Sequence, residues 1–98
     1  MAQDRRAKWM EHWLRGTRAF VTAGVQENLA SVRSVLLDED GDWQLFDVPE
    51  DTPGEPRLLH LFHILDADPS VLEVLDLAPG EAADRASPSD AWVRGDLA

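Results

Sequence analysis

The 98-residue sequence contains no cysteine, which excludes disulfide bonds and thiolate metal sites. It has no uninterrupted apolar run near the roughly 20 residues of a membrane-spanning helix. Its charged N-terminus also lacks the apolar core of a secretory signal. The motifs of P-loop, zinc-protease, α/β-hydrolase and dinucleotide-binding proteins are missing too. We therefore expect a soluble, unprocessed, cytoplasmic protein that is not an enzyme.

Basic residues are scarce after position 37. Residues 1–37 contain six bases and three acids, whereas residues 38–98 contain three bases and sixteen acids. The net charge of −10 is therefore concentrated in the second part of the chain. Such a field disfavours nucleic acid and anionic membranes and favours a basic protein partner. The alternative is that the acids only keep the protein soluble.

The length and the hydrophobic fraction of 44% suit a single domain over residues 1–98. Residues 3–15 predict an amphipathic N-terminal helix, because four large apolar residues fall in one arc of helical periodicity: Trp9, Met10, Trp13 and Leu14. This stripe is expected to pack on the rest of the domain. Contact with a partner stays open as the alternative.

Three strands are expected next, over residues 18–25, 31–37 and 42–48. Between the second and third, the run from Asp38 to Gly41 predicts a tight hairpin turn, because Asp-Gly supplies the positive φ that such turns need. In the third strand, Trp43 and Leu45 point to one face, and Phe46 and Val48 to the other. We therefore expect this strand to be central and covered on both faces, with Trp43 largely buried.

A helical pair is predicted after the proline-rich residues 49–56. Residues 57–65 are almost continuously apolar, which does not separate a helix from a buried strand, and we expect a helix because β-branched residues are nearly absent. Asp68 suits an N-cap and Pro69 the first position of a second helix. Its apolar stripe ends at Pro79-Gly80 and contains Val71, Leu72 and Leu75.

A last short strand is expected near residues 84–86 or 91–93. The predicted fold class is therefore α+β. It consists of a small, mainly antiparallel sheet of three to five strands, with the N-terminal helix and the helical pair packed on it.

Two groups of side chains raise the question of a metal site. Asp38, Asp40 and Asp42 alternate as in a calcium loop, but Gly41 precedes the third aspartate, and Pro49 stands where a bidentate glutamate is needed. A solvated hairpin turn is the favoured interpretation.

His60 and His63 form the second group. On a helix they share a face near Asp66, but a third and fourth ligand are not evident. We therefore expect no metal and no cofactor. The many carboxylates also single out no desolvated pair for acid–base catalysis.

Three stretches of the sequence resemble one bacterial family. They are an opening strand (residues 19–22), a turn leading into a tryptophan strand (residues 41–46), and Asp68-Pro69 followed by Pro79-Gly80 and Arg85. The family was first known only as a domain of unknown function and was later grouped with the immunity proteins of polymorphic toxin systems. The resemblance covers about residues 19–93 and leaves the N-terminal helix outside.

The sequence departs from the pattern of that family in two places. The segment before the tryptophan strand is shortened to residues 38–40, and the acidic stretch after that strand is replaced by the proline-rich loop. The resemblance implies a binding role and brings no catalytic residues with it.

The leading hypothesis is a non-catalytic acidic binding protein, specifically an immunity protein that neutralises a cognate toxin by occlusion. The alternative is an interaction or regulatory domain with no toxin partner, and a small hydrolase or metal enzyme is a third, weaker option. The candidate partner-binding residues are all acidic: Asp38, Asp40, Asp42, Glu50, Asp51 and Asp66.

Overall fold

The computed structural model describes residues 16–47 and 56–96, and these residues form a small α+β domain. Its strands are β1 (Arg18–Val21), β2 (Ser34–Leu37), β3 (Trp43–Phe46), β4 (Arg57–His60), β5 (Glu81–Asp84) and β6 (Val93–Asp96). Its helices are α1 (Ala23–Glu27), α2 (Leu61–Ala67) and the 3₁₀ helix η1 (Pro69–Val74). The helix predicted over residues 3–15 and the side chain of Val48 lie outside the described residues. Across the described ranges, no helix is long and apolar enough to cross a membrane.

The sheet has the strand order β4-β1-β3-β2-β5-β6. Only β1 and β3 pair in parallel, and every other neighbouring pair is antiparallel. The sheet is therefore mixed but mainly antiparallel, as predicted. It has six strands instead of three to five, because residues 57–60 form a strand and the last part of the chain forms two. These two, β5 and β6, overlap the regions considered for the last strand by only one residue each, Asp84 and Val93.

The β2–β3 hairpin confirms the turn predicted from the Asp-Gly pair. Gly41 has a φ of +87°, and the next residues enter β3 at Trp43. This φ is costly for any residue with a Cβ atom, so the glycine permits the turn. Trp43 is 5% exposed on a strand that lies between β1 and β2, which confirms its predicted burial and central position.

The predicted strand over residues 18–25 is wrong in its second half. It ends at Val21, because Thr22 caps the short helix α1: the Val25 N–H donates to Thr22 Oγ1 over 3.3 Å. The Thr22 hydroxyl donates to Asp47 Oδ1 over 2.6 Å. The Asp47 carboxylate fills the space beside Gly24, where an added Cβ would lie 1.8 Å from Asp47 Oδ2.

The predicted helix over residues 57–65 is wrong for its first four residues and right from Leu61 onward. Residues 57–60 form β4 because they pair antiparallel with β1, with Leu59 opposite Ala19 and Leu58 opposite Phe20. Backbone pairing with a neighbour thus overrides the local helix preference. Helix α2 then begins at Leu61, whose N–H donates to the Thr17 carbonyl over 2.9 Å.

The cap predicted at Asp68 is confirmed, since its Oδ1 accepts the Ser70 N–H over 3.1 Å and Pro69 opens the helix. The element is a 3₁₀ helix that ends at Val74, well before Pro79-Gly80. Its buried residues are Val71 and Val74, whereas Leu72 is 45% exposed. The shorter helix therefore presents a different apolar set from the one its sequence predicts.

The hydrophobic core lies on one face of the sheet. Its buried strand residues alternate along the chain, as with Val35 and Leu37 in β2 or Ala19 and Val21 in β1. The three described helices close over this face with Val25, Leu61, Ile64, Val71 and Val74. On the opposite face, Gln44 and Phe46 of β3 are half-buried. Strand β3 is therefore fully covered on one face, whereas full coverage was expected on both.

Candidate functional site

The β2–β3 connection is the acidic turn, which we define as residues 38–42. The carboxylate of Asp38 organises it: Oδ1 accepts the Asp40 and Asp42 N–H groups over 2.9 Å each, and Oδ2 accepts Gln44 Nε2 over 2.9 Å. The Asp38 N–H donates to the Asp42 carbonyl, and the Gly41 N–H to the Asp38 carbonyl, over 3.0 Å each. One side chain thus holds the backbone of the whole turn.

The charge of Asp38 is used within the turn itself. The backbone N–H of Asp42, together with Gln44 and the N–H groups of Asp40 and Gly41, lowers the pKa of Asp38 against the opposing effect of burial. The side chain is therefore ionised at neutral pH while its oxygens accept bonds from its own turn. Asp38 therefore positions the backbone of the turn.

Three other acids of the turn face solvent. Glu39, Asp40 and Asp42 are all exposed, and none forms an ion pair with another described residue. The nearest base by strand register is Arg18, because the parallel pairing of Ala19 with Trp43 sets Arg18 beside Asp42. Within the described residues no ion pair joins Arg18 to the turn. Within residues 16–47 and 56–96, the turn therefore presents three carboxylates without an ion-pair partner on a backbone that Asp38 holds in place.

The structure brings together only part of the acidic set proposed from sequence. Asp38, Asp40 and Asp42 share the acidic turn, whereas Asp66 is exposed near the end of α2. Asp68, two residues after Asp66, contacts Arg85. Arg85 follows β5 at the end of the β2–β5 pair that is farthest from the acidic turn. Asp66 is thus at the other end of the sheet. Glu50 and Asp51 lie outside the described residues.

The structure contains a second group of polar side chains, whose mutual contacts the sequence did not predict. We call it the Arg85 cluster, and its members are Asp68, Ser70, Arg85, Trp92 and the Val32 carbonyl. Arg85 is 5% exposed. Its Nε and Nη2 donate to the Val32 carbonyl over 3.1 and 2.9 Å, Nη1 donates to Ser70 Oγ over 2.7 Å, and Nη2 meets Asp68 Oδ2 at 2.5 Å. Its guanidinium carbon stacks 3.9 Å from the centre of the Trp92 ring.

The other members of the Arg85 cluster are also satisfied. Trp92 Nε1 donates to the Ser70 carbonyl over 3.1 Å, and Ser70 Oγ donates to Asp68 Oδ1 over 2.6 Å. Burial raises the pKa of Asp68, but hydrogen bonds from Ser70 and the Arg85 guanidinium outweigh that effect and leave it below its usual range. Every buried side-chain polar atom in the described residues has a partner. The cluster therefore ties η1 to the segments that precede β2 and β6 and to Arg85, which follows β5.

The sequence contained a signal for this cluster. Asp68 and Arg85 both belong to the stretches that carry the family resemblance, where they are separate features. Arg85 is one of only three bases after position 37, and an isolated base among so many acids is a candidate for a buried ion pair. Sequence spacing alone does not say which acid it meets.

The side chains of His60 and His63 are neighbours, but no other potential metal ligand in the described residues groups with them. The ring centres of His60 and His63 are 6.2 Å apart, and the Phe62 ring lies 4.1 Å from that of His63. Among residues 16–47 and 56–96, no group of three or more histidines and acids could hold a metal ion. The histidines contribute instead to an aromatic group at the start of α2.

Comparison with known proteins adds no relative to this picture. No protein-family model, curated protein or solved structure matches the chain.

Proposed function

We propose that this protein is a non-catalytic acidic binding protein that engages a basic protein partner through the acidic turn. One observation carries the proposal: Asp38 holds the turn from inside, while Glu39, Asp40 and Asp42 are exposed and unpaired among the described residues. Among the described residues, Arg18 is the base that strand register sets beside the turn. A cluster of free carboxylates on a fixed backbone suits recognition of lysine and arginine side chains.

The geometry of the turn favours fast and selective association. A turn whose backbone is already fixed loses little conformational freedom when a partner binds, so less of the interaction energy is consumed by ordering. The negative field of the second part of the chain attracts a basic surface over distances comparable to the screening length of about 10 Å at 0.1 M salt. Electrostatic complementarity of this kind acts mainly on the association rate.

Within that class, we propose an immunity protein that neutralises a cognate toxin by occluding it. Its support is the resemblance in the tryptophan strand, at Asp68-Pro69 and at Arg85, together with an acidic surface that suits a basic toxin. The alternative is an interaction or regulatory domain with no toxin partner, acting on a different basic protein through the same turn. The two proposals share a binding surface and differ in the identity of the partner.

Charge reversal in the turn tests the binding proposal. The variant Glu39→Lys/Asp40→Lys leaves Asp38, and hence the turn backbone, intact. The matched control is Glu27→Lys/Glu73→Lys, which makes the same change in net charge at two exposed acids in α1 and η1. Association with a partner captured by the wild-type chain is measured by stopped-flow or surface plasmon resonance at low and raised salt. We expect the turn variant to associate about tenfold more slowly and the control less than about twofold.

The outcomes separate the two partner proposals. If the gene beside this one encodes a toxin, co-expression of the wild-type chain restores growth and the turn variant protects less. A captured basic partner without toxicity supports the interaction-domain alternative. An acidic partner, or an association rate that ignores both the salt concentration and the turn reversal, contradicts the acidic-turn proposal.

A further inference from the structure

The peptide bond between Asp40 and Gly41 lies in the middle of the acidic turn. Both residues are exposed, and Gly41 has a φ of +87°. Apart from its chain neighbours, no atom lies within 4 Å of the position that a Cβ on Gly41 would occupy. The Asp40 carboxylate forms no hydrogen bond or ion pair with another described residue. Its carboxyl group is therefore free to reorient towards the Gly41 nitrogen.

An aspartate that precedes a glycine can rearrange without an enzyme. The Gly41 backbone nitrogen attacks Cγ of the protonated Asp40 carboxyl group, a C–N bond forms, and the hydroxyl group leaves with the proton of the nitrogen as water. Water then adds to one of the two carbonyls of the five-membered imide. Opening at Cγ restores aspartate, whereas opening at the main-chain carbonyl gives isoaspartate. Because one water is released and one is consumed, the net reaction is an isomerisation.

The residue that follows each aspartate decides how easily the imide ring closes. Gly41 has no side chain beside the attacking nitrogen, and glycine adopts backbone conformations that other residues avoid. No other aspartate in the sequence precedes a glycine. Asn28, the single asparagine, could form the same imide, but it precedes the branched Leu29. Asp40 is therefore the position in the chain where chemistry most favours the rearrangement.

The turn holds the backbone on both sides of this peptide bond. Asp38 Oδ1 accepts the N–H groups of Asp40 and Asp42 over 2.9 Å each, and the Asp38 carbonyl accepts the Gly41 N–H over 3.0 Å. The nitrogen that must attack is therefore already a hydrogen-bond donor on a fixed backbone. Ring closure needs local opening of the turn, so the bonds to Asp38 slow it.

We propose that Asp40-Gly41 is a site of spontaneous isoaspartate formation, and that Asp38 limits the rate by holding the turn closed. In the product, the main chain runs through Cβ and Cγ of residue 40 and is one atom longer, which displaces Asp42 relative to Asp38. The carboxylate is retained, so the conversion alters the shape of the acidic turn and not its charge. The inference goes beyond the proposed binding function, since the reaction needs no partner.

Ageing of the purified chain at neutral pH and physiological temperature tests the proposal. Peptide mapping with electron-transfer fragmentation distinguishes isoaspartate from aspartate, and it is applied at intervals to the native wild type and to the wild type unfolded in guanidinium chloride. Far-UV circular dichroism checks that each variant is folded.

Four variants separate the site from its restraint. Asp38→Ala removes the side-chain acceptor of the turn, and Asp38→Ser keeps one oxygen at shorter reach. The matched control is Gln44→Ala, which removes only the bond to Asp38 Oδ2. Asp40→Glu removes the site itself, because a glutamate would have to close a larger and less favourable ring.

We expect isoaspartate to accumulate first at position 40, and not to form at that position in Asp40→Glu. Asp38→Ala should raise the rate about fivefold, the factor that corresponds to the net contribution of one hydrogen bond, and Gln44→Ala less than about twofold. Asp38→Ser should fall between the wild type and Asp38→Ala, and the unfolded wild type should react at least as fast as Asp38→Ala. Isoaspartate that accumulates first at another position would overturn the site. Equal rates in the native wild type and in the folded variants of Asp38 would overturn the restraint by that residue.

Discussion

Two arginine–aspartate pairs join the last part of the chain to the region around η1, and they differ almost only in their surroundings. Arg85 and Asp68 meet at 2.5 Å with side-chain exposures of 1% and 13%. Arg94 and Asp76 meet at 2.7 Å with exposures of 47% and 72%. The distances are nearly equal, so distance alone does not rank the two pairs. Burial and the additional hydrogen bonds decide how much each contributes.

The buried pair is largely shielded from solvent, so water compensates poorly for a lost partner. Removing one member leaves the other charged or polar group in a dry environment, together with the Val32 carbonyl and Ser70 hydroxyl that Arg85 also satisfies. At the exposed pair, by contrast, solvent takes over the bonds of whichever partner remains. Four substitutions test this contrast, from the largest expected effect to the smallest.

Arg85→Ala is expected to have the largest effect. It leaves Asp68 without its countercharge and the Val32 carbonyl without its donors, and it removes the stacking on Trp92. Breaking a buried pair in this way costs about 3–5 kcal/mol, which we expect as the loss in unfolding free energy from urea titration at pH 7. A loss below about 1 kcal/mol would mean that the cluster is far more hydrated than its burial indicates.

Asp68→Asn is expected to have an intermediate effect that depends on pH. It keeps the shape of the side chain but removes the charge that meets Arg85, so we expect a loss of about 2 kcal/mol at neutral pH. Because the folded pKa of Asp68 lies below its unfolded value, its contribution is present above about pH 4 and is lost as the pH falls through the folded pKa. The wild type and the variant should therefore converge in stability as the pH falls below about 4 and through the folded pKa of Asp68.

The control for that pH dependence is Asp76→Asn. The hydrogen bond from Arg94 lowers the pKa of Asp76 too, against a smaller opposing effect of burial. The Asp76 side chain is 72% exposed, so solvent screening leaves little of this interaction in the stability. The stabilities of the wild type and Asp76→Asn should therefore differ little at any pH. If they converged at low pH as strongly as those of the wild type and Asp68→Asn, burial would not explain the difference between the two aspartates.

Arg94→Ala is expected to have the smallest effect. Its guanidinium donates to Asp76 and, over 2.6 Å, to the Glu73 carbonyl, and both acceptors are open to water. The denaturation midpoint should shift by no more than its experimental error, and raised salt should abolish any difference that is measured. A destabilisation approaching that of Arg85→Ala would contradict the ranking by burial.

The local features of the fold could be predicted from the sequence because their causes are local. Gly41 permits the hairpin turn through its own φ, and the Asp68 side chain caps the residue two positions ahead. The Trp43 strand was found because its apolar residues alternate in a regular way. Each of these signals lies within a few residues of the structure that it produces.

The errors arose where distant residues decide the conformation. Residues 57–60 have a helix-like composition, but they form β4 because the edge of β1 offers backbone partners. Likewise, Thr22 ends β1 by capping α1, and its hydroxyl bonds Asp47 far along the chain. Neither partner is visible from a short window of sequence, so pattern reasoning extended one element and misassigned the other.

The candidate site divides in the same way. The clustering of Asp38, Asp40 and Asp42 follows from their closeness in sequence, and the turn brings them together. The distance of Asp66 from that turn depends on the path of α2 across the sheet, which composition does not report. The distinction between Asp38 as an internal hydrogen-bond acceptor and its exposed neighbours needed coordinates, because all four acids of the turn look alike in the sequence.

The Arg85 cluster also bears on the order in which the chain can complete its fold during synthesis. The β2–β3 hairpin has both strands once residue 46 has emerged, and its contacts are short in sequence. The Val32 carbonyl and the Asp68 carboxylate both bond the Arg85 guanidinium, which is synthesised 53 residues after Val32 and 17 residues after Asp68. Until then, packing η1 against the sheet would bury an uncompensated carboxylate. Arg85 therefore favours closure of the core late, after β5 has joined β2, and disfavours a compact but incomplete chain.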